Sequence, residues 1–187
     1  MKPEIPTKRT ILKVPGQESA ELLLNYYLSN RDHLSQWEPE RQESFFTLEH
    51  WQNTLAENER LFDQGSAIKF AAFNRELNEV IGVCNFTNIV RGPFQACNLG
   101  YSISHGLQGE GYMFEILRAA IDYAFANSGL RLHRVMANYL PSNTRSEAIL
   151  RKLGFEKEGY ARSYIKIAGK WEDHVLTSLI NNQDAAE

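Results

Sequence analysis

The chain has 187 residues, of which 43% are hydrophobic and 23% charged, and its formal net charge is −3 at pH 7. This composition is typical of a soluble globular protein and argues against intrinsic disorder and against a nucleic-acid module that depends on its own basic face. No apolar run approaches the roughly 20 residues of a transmembrane helix, and the N-terminal segment lacks the apolar core of a signal peptide. We expect a single domain over residues 1–187, cytoplasmic, without membrane contact or direct nucleic-acid contact.

Neither the cysteines nor the histidines are spaced as metal ligands. Cys84 and Cys97 lie in strand-like segments without a CxxC motif, and the five histidines show no HExxH or paired spacing. We therefore expect buried thiols in a reducing compartment and no metal site. An acyl-carrying cysteine stays open as an alternative, although no histidine or aspartate stands at a suggestive spacing.

The first part of the chain predicts a short strand and two helices. Residues 10–14 alternate like a strand, and residues 17–34 carry apolar side chains at helical intervals. An irregular segment follows. Thr47 is the expected N-cap of a second helix, which Gly65 ends.

The rest of the chain predicts a sheet covered by helices. Three strands separated by turn-forming residues favour an antiparallel meander, at 67–73, 80–90 and 97–104. There follows a helix with one continuous apolar face at 113–127, then a strand at 133–139 and another helix at 142–153. The chain closes with a pair of strands at 155–167 and 171–180. We expect a mixed α/β or α+β layer structure.

A glycine-rich run, GLQGEGYM, stands where a strand ends and this apolar helix begins. The first turn of a helix leaves backbone N–H groups unpaired and carries a partial positive charge, and Gly109 and Gly111 would let these groups curl around a pyrophosphate. A glycine-rich turn that merely enters a helix is the alternative. The run is neither a P-loop nor a dinucleotide fingerprint, so it indicates a phosphate-bearing ligand without hydrolysis.

Two motifs in this order resemble those of the GNAT acetyltransferases. Residues 108–113 (QGEGYM) resemble motif A, which holds the pyrophosphate of coenzyme A, except that Met113 replaces a small residue. Residues 141–146 (PSNTRS), followed by the segment LRKLGF, resemble motif B. A capping box at residues 144–147 would explain the second motif as an ordinary helix start, and both interpretations can hold together.

Over residues 10–179, the chain is most similar to the RimJ/RimL ribosomal-protein N-acetyltransferases, and especially to the alanine-specific RimJ branch. The resemblance implies the GNAT fold, with a splayed pair of central strands, and acetyl-CoA as the acetyl donor. It implies the N-terminal alanine of a small-subunit ribosomal protein as acceptor, and a monomer or homodimer. Two rivals stay open: acetylation of a small polyamine or aminoglycoside, with Glu38, Glu40 and Glu43 as a carboxylate cluster, and a coenzyme A-binding protein with little catalysis.

The resemblance also implies which residues hold acetyl-CoA. The pantetheine arm would lie between the strand at 98–104 and the strand at 133–139. The residues implied to bind the donor are Tyr101, Ser102, Ile103, Gln108, Gly109, Glu110, Gly111, Tyr112, Met113 and Asn143. Arg151 or Lys152 could reach the adenosine phosphate, although a solvated basic face explains that pair equally well.

The catalytic residues are less apparent from sequence. Leu150 occupies the place where many GNAT enzymes carry a tyrosine acid, so Ser146 is the expected hydrogen-bond donor to the leaving thiolate. Asn98 replaces the glutamate that relatives use as base, and Glu38 could instead hold the amine or relay its proton. Trp37 and Tyr139 are the expected walls of the acceptor site. A surface serine, a solvated loop acid and core aromatics are the structural alternatives for these residues.

Overall fold

The computed structural model of the protein describes residues 2–182, and one mixed sheet of eight strands forms its centre. The strands are β1 (Glu4–Pro6), β2 (Ile11–Lys13), β3 (Ile68–Phe73), β4 (Val80–Val90), β5 (Ala96–Ile103), β6 (Arg134–Tyr139), β7 (Glu156–Ile167) and β8 (Lys170–Ile180). The helices are α1 (Ala20–Ser29), α2 (Arg31–Ser35), α3 (Leu48–Asp63), α4 (Tyr112–Phe125) and α5 (Thr144–Leu153). Short 3₁₀ turns lie at Gln17–Ser19, Glu43–Phe46 and His105–Leu107. The strand order is β1-β2-β3-β4-β5-β6-β8-β7.

The predicted antiparallel meander is present as β3, β4 and β5, and its neighbour β6 runs parallel to β5. This parallel pairing stops after three residue pairs, the last of which joins Asn98 to Met136. Beyond that point β5 continues along β4 as far as Ile103, and β6 continues along β8 as far as Tyr139. The two central strands therefore diverge, which confirms the expected splay and opens a wedge between them.

Helices cover both faces of the sheet, because its strands alternate their buried side chains. On β3, Phe70 and Ala72 join the core under α4 and α5, whereas Ala71 and Phe73 join the core under α1 and α3. Burial of each large apolar side chain stabilises the fold by roughly 1.5–3 kcal/mol. The largest buried side chains of the α4 face include Phe86, Ile116, Leu117 and Leu150.

The predicted single helix over residues 17–34 is interrupted by Asn30. The Asn30 side chain donates to the Tyr26 carbonyl oxygen at 2.8 Å and accepts from the His105 backbone N–H at 2.8 Å. Asn30 is 6% exposed, so these bonds replace water. A short polar side chain that bonds the backbone competes with helix continuation, and the chain turns from α1 into α2 at this residue.

Local signals at the helix ends are mostly as predicted. Thr47 caps α3 by accepting from the His50 N–H, and Gly65 and Gly154 take left-handed conformations after α3 and α5. The expected capping box is wrong in one respect, because the N-cap of α5 is Asn143 and the helix already begins at Thr144. No helix within residues 2–182 is long and apolar enough to cross a bilayer.

Candidate active site

The open part of the wedge is lined by the last residues of β5. Ser104 N–H donates to the Ile81 carbonyl on β4, so alternation along the strand turns the N–H groups of Tyr101 and Ile103 away from β4 and into the wedge. Strand side chains also alternate between the faces. Tyr101 contacts α5 through Ser146, and Ser102 contacts α1 through Tyr26, at 2.7 and 2.9 Å between oxygens.

A loop of exposed backbone donors follows β5 and its 3₁₀ turn. Gly109 and Gly111 both have φ of +80°, a conformation that glycine adopts without strain, and Gly111 is the N-cap of α4. None of the N–H groups from Gly109 to Met113 has a hydrogen-bond partner among residues 2–182. A Cβ added at Gly109 would meet no atom within 4 Å. This open set of donors at a helix N-terminus fits a pyrophosphate group.

The Gln108 side chain ties this loop to two helices. Its amide group bonds the His33 ring at 2.9 Å, and its carbonyl oxygen accepts from the Arg145 guanidinium at 3.0 Å. Burial, together with the nearby His105 and Arg145, lowers the pKa of His33, so the ring favours its neutral form. Gln108 therefore acts in the structure as a bridge between α2 and α5, while Arg145 adds positive charge beside the loop.

Arg9 supports the far side of the loop, a role that sequence reasoning missed. Its guanidinium donates to the Glu110 carbonyl oxygen at 3.0 Å and lies 3.8 Å from the centroid of the Tyr112 ring. It also donates to the Glu115 carboxylate at 2.8 Å. Because Arg9 is more than 100 residues from these partners, no local pattern signals the contact.

The Glu115 carboxylate predicts a pH-dependent stability. Burial opposes its charge, but hydrogen bonds from Thr7 and Arg9 outweigh that effect and lower its pKa. A carboxyl group with a lowered folded-state pKa contributes stability above its unfolded pKa of about 4.3 and loses it as pH falls through the folded value. We expect Glu115→Gln to be less stable than wild type in urea at neutral pH, with the difference shrinking below about pH 4. A difference that stays constant with pH would contradict this assignment.

Motif B places Asn143 and Ser146 at the first turn of α5. The side-chain oxygen of Asn143 accepts from the Ser146 N–H at 3.0 Å, which leaves the amide nitrogen of Asn143 available to donate to a ligand. The Ser146 hydroxyl bonds the Tyr101 hydroxyl. Leu150 is 1% exposed and belongs to the core, consistent with its apolar replacement of the usual tyrosine acid. Lys152 lies over the Phe114 ring.

Of the residues expected at the acceptor site, Trp37 and Glu38 lie in the loop between α2 and α3, whereas Tyr139 belongs to the core under α4 and α5. Glu38 forms an ion pair with Arg41 at 3.1 Å, and its carbonyl oxygen accepts from Ala168 N–H at the tip of the β7–β8 hairpin. Trp37 beside it is half-buried, and Tyr139 ends β6 at 9% exposure. The tip of the hairpin therefore contacts the Glu38 loop.

The expected site residues fall on two sides of the sheet. Ser146 lies on the α5 side of Tyr101. Burial is the main cause of the raised pKa of Tyr26 and Tyr27 in α1, and the charge of Glu38 adds to it. Because that charge acts on both tyrosines, Glu38 lies on the α1 side. The structure therefore joins Ser146 with Tyr101, whereas the contacts of Glu38 run to Arg41 and to the hairpin. An amine and a thioester could approach the wedge from opposite faces.

The two cysteines do not form part of this site. Cys84 and Cys97 are fully buried, and burial raises both thiol pKa values, that of Cys97 to about 12. A thiol with so high a pKa is a poor nucleophile, which argues against the acyl-carrying alternative. Within the described part of the chain, no group of three or more His, Cys, Asp or Glu residues could hold a metal ion.

Comparisons with known proteins agree with this geometry. A family model described as acetyltransferase (GNAT) domain matches residues 9–156. The chain is 47% identical over 178 residues to the ribosomal protein uS5 alanine N-acetyltransferase of Escherichia coli strain K12, covering 95% of this chain and 91% of that protein.

Solved structures give the same result. The ribosomal-protein-S5-alanine acetyltransferase of Vibrio fischeri superposes with a TM-score of 0.91 at 37% identity, covering 96% of this chain and 97% of that one. Mycobacterium smegmatis RimJ, solved in complex with CoA-disulfide, shares the fold with a TM-score of 0.89 at 22% identity, covering 99% of this chain and 90% of that one. The chain therefore belongs to the GNAT family of acetyltransferases, within its RimJ/RimL group of ribosomal-protein N-acetyltransferases.

Proposed function

We propose that the protein, acting as one domain in the cytoplasm, transfers the acetyl group of acetyl-CoA to the N-terminal amine of a ribosomal protein that begins with alanine. The observation that carries this proposal is the wedge between β5 and β6, which runs into the unpaired N–H groups of the loop before α4. The alanine acceptor is supported by the 47% identity to an enzyme named for that substrate.

The loop and the wedge would hold the donor in an extended form. The N–H groups of residues 109–113 bind the pyrophosphate, and Arg145 supplies a nearby positive charge. The exposed backbone edge of Tyr101 and Ile103 pairs with the pantetheine arm as an added strand would, and the Asn143 amide nitrogen donates to the arm. Acetyl-CoA supplies the activated thioester. The residues of this chain orient it across the wedge.

Attack on the thioester places negative charge on the carbonyl oxygen. An N–H group of Tyr101 or Ile103 that faces the wedge is a backbone donor for this oxyanion, already oriented by the strand. Ser146 is our donor to the departing sulfur, on the α5 side of the same residues. These assignments place the two developing negative charges within reach of neutral donors.

The acceptor amine needs little help from a base. An N-terminal amine has a reference pKa near 7.8, so roughly one molecule in seven is neutral at pH 7, whereas a lysine is neutral only about once in 2,500. Water can therefore carry the proton away. Glu38 would attract the cationic N-terminus from the α1 side, with Trp37 as the wall of the acceptor site on that side and Tyr139 as the wall on the α5 side.

The small-amine alternative is weakened because two of its three expected carboxylates are already paired. Glu38 pairs with Arg41, and Glu43 pairs with Arg31. A polyamine pocket needs several unpaired carboxylates, whereas a peptide N-terminus carries one charge at its end. The pairing of these carboxylates thus favours a peptide acceptor, bound by a monomer or homodimer.

The direct test uses acetyl-CoA with three acceptors. The first peptide has a free N-terminal alanine and blocked lysines, the second has a blocked N-terminus and a free lysine, and the third acceptor is spermidine. We expect added acetyl mass on the first alone, with a rate that rises with pH as the amine loses its proton. Acetylation of spermidine or lysine in its place would overturn the proposal. Acetyl-CoA binding without transfer to any acceptor would favour a binding protein.

A further inference from the structure

The phenol of Tyr101 makes a specific contact at the wedge. Tyr101 lies on β5 beyond the last pair that joins β5 to β6, and its hydroxyl oxygen is 2.7 Å from the Ser146 hydroxyl oxygen on α5. The two residues are 45 positions apart in sequence. The pair thus joins the strand that faces the wedge to the first turn of the helix beside it.

The backbone at each of the two residues is anchored. The Ser146 backbone N–H is held by the Asn143 side chain at the N-cap of α5. Tyr101 pairs with Cys84 across the β4–β5 ladder, and its ring packs against the main core. The fold therefore holds the strand and the helix turn that carry the two hydroxyls within contact distance.

The chemistry of the pair determines which oxygen donates. A phenol is the more acidic of the two hydroxyls and the stronger donor, whereas the serine oxygen is the better acceptor. Burial raises the pKa of Tyr101, so the phenol keeps its proton across the working pH range. With Tyr101 as donor, the proton of Ser146 must point elsewhere.

We propose that Tyr101 is a positioning residue, whose O–H donates to the Ser146 oxygen and so directs the Ser146 O–H toward the sulfur that leaves the acetyl group. This inference rests on the proposed function. The usual tyrosine acid is absent, since Leu150 is buried in its place. A tyrosine on β5 thus orients a serine on α5, and this serine donates in place of the tyrosine that α5 lacks.

The step balances without ionising either residue. The amine nitrogen bonds to the carbonyl carbon, and the carbon–sulfur bond breaks with its electron pair on sulfur. The nitrogen loses its extra proton to water. Ser146 stabilises the thiolate by a hydrogen bond and retains its own proton, and the thiolate takes a proton from solvent.

Kinetics on four variants test the orienting role. Tyr101→Phe keeps the ring and removes the oxygen. We expect it to lower kcat about tenfold, with the Kd for acetyl-CoA changed by less than about twofold. Ser146→Ala should lower kcat by a similar factor. The double variant should be no slower than Ser146→Ala, because the phenol acts only through the serine. Tyr123→Phe is the matched control, a half-buried tyrosine of α4 whose kcat should equal that of wild type.

A spectroscopic readout separates positioning from general stability. Titration of bound coenzyme A, followed by thiolate absorbance, should give a thiol pKa below that of the free coenzyme in wild type and in Tyr123→Phe. The shift should be absent in Tyr101→Phe and Ser146→Ala. Three results would each overturn the role of Tyr101. The first is a thiol pKa in Tyr101→Phe equal to that in wild type, and the second is a double variant whose loss of kcat is the product of the two single losses. The third is a loss of acetyl-CoA affinity in Tyr101→Phe that parallels its loss of kcat. Wild type that binds no acetyl-CoA or acetylates no peptide would instead defeat the proposed function.

Discussion

Gly109→Glu is expected to abolish measurable binding of acetyl-CoA, with a loss of affinity of at least about 100-fold. The new carboxylate would stand among the N–H groups that bind phosphate, where it repels the ligand and occupies its place. Gly109 has φ of +80° and no atom within 4 Å of its Cβ position. The substitution therefore costs the fold only the strain of a left-handed residue, about 1–2 kcal/mol. Calorimetric titration with acetyl-CoA measures the affinity.

Gly92→Glu is the matched control for this experiment. Gly92 also has a positive φ, of +70°, and no atom within 4 Å of its Cβ position. It precedes β5, whereas Gly109 follows it, so the two lie roughly 25 Å apart along an eight-residue strand. The control carries the same charge and similar backbone strain. Equal affinities in the two variants would remove the phosphate-binding role of the loop.

Asn30→Leu is expected to lower the free energy of unfolding by about 3 kcal/mol and also to weaken acetyl-CoA binding. Leucine has the same branched shape with a larger volume, removes the bond to the His105 N–H and leaves the Tyr26 carbonyl with only the backbone N–H of residue 30. The His105 N–H lies at the start of the 3₁₀ turn that leads into the phosphate-binding loop. Urea unfolding gives the stability, and calorimetry at a temperature where both proteins are folded gives the affinity.

Thr177→Val distinguishes loss of stability from loss of the link to the loop. Thr177 is buried and donates to the Ala137 carbonyl at 2.5 Å, on the side of β6 that faces β8. Its substitution should lower the free energy of unfolding by about 1 kcal/mol and leave acetyl-CoA affinity unchanged. If Asn30→Leu also left the affinity unchanged, Asn30 would shape the helices without supporting the ligand loop.

Much of the fold followed from signals carried by neighbouring residues. Alternating strands, the apolar face of α4, the Thr47 cap and the glycines after α3 and α5 are properties of short segments, so the sequence predicts them directly. The phosphate-binding loop is likewise determined by a short segment of sequence. Gly109 and Gly111 are adjacent to a helix start, and their left-handed conformations are those that glycine permits.

The sequence by itself thus determined the sheet, the family and the place of the donor loop. Tertiary structure alone decided what surrounds that loop: the break at Asn30, the Arg9 contacts and the pairing of Tyr101 with Ser146. These contacts join residues 45 to 106 positions apart, and they exist because folding buries polar groups that must then find partners. A sequence pattern describes neighbours along the chain, whereas the chemistry of this site depends on neighbours in space.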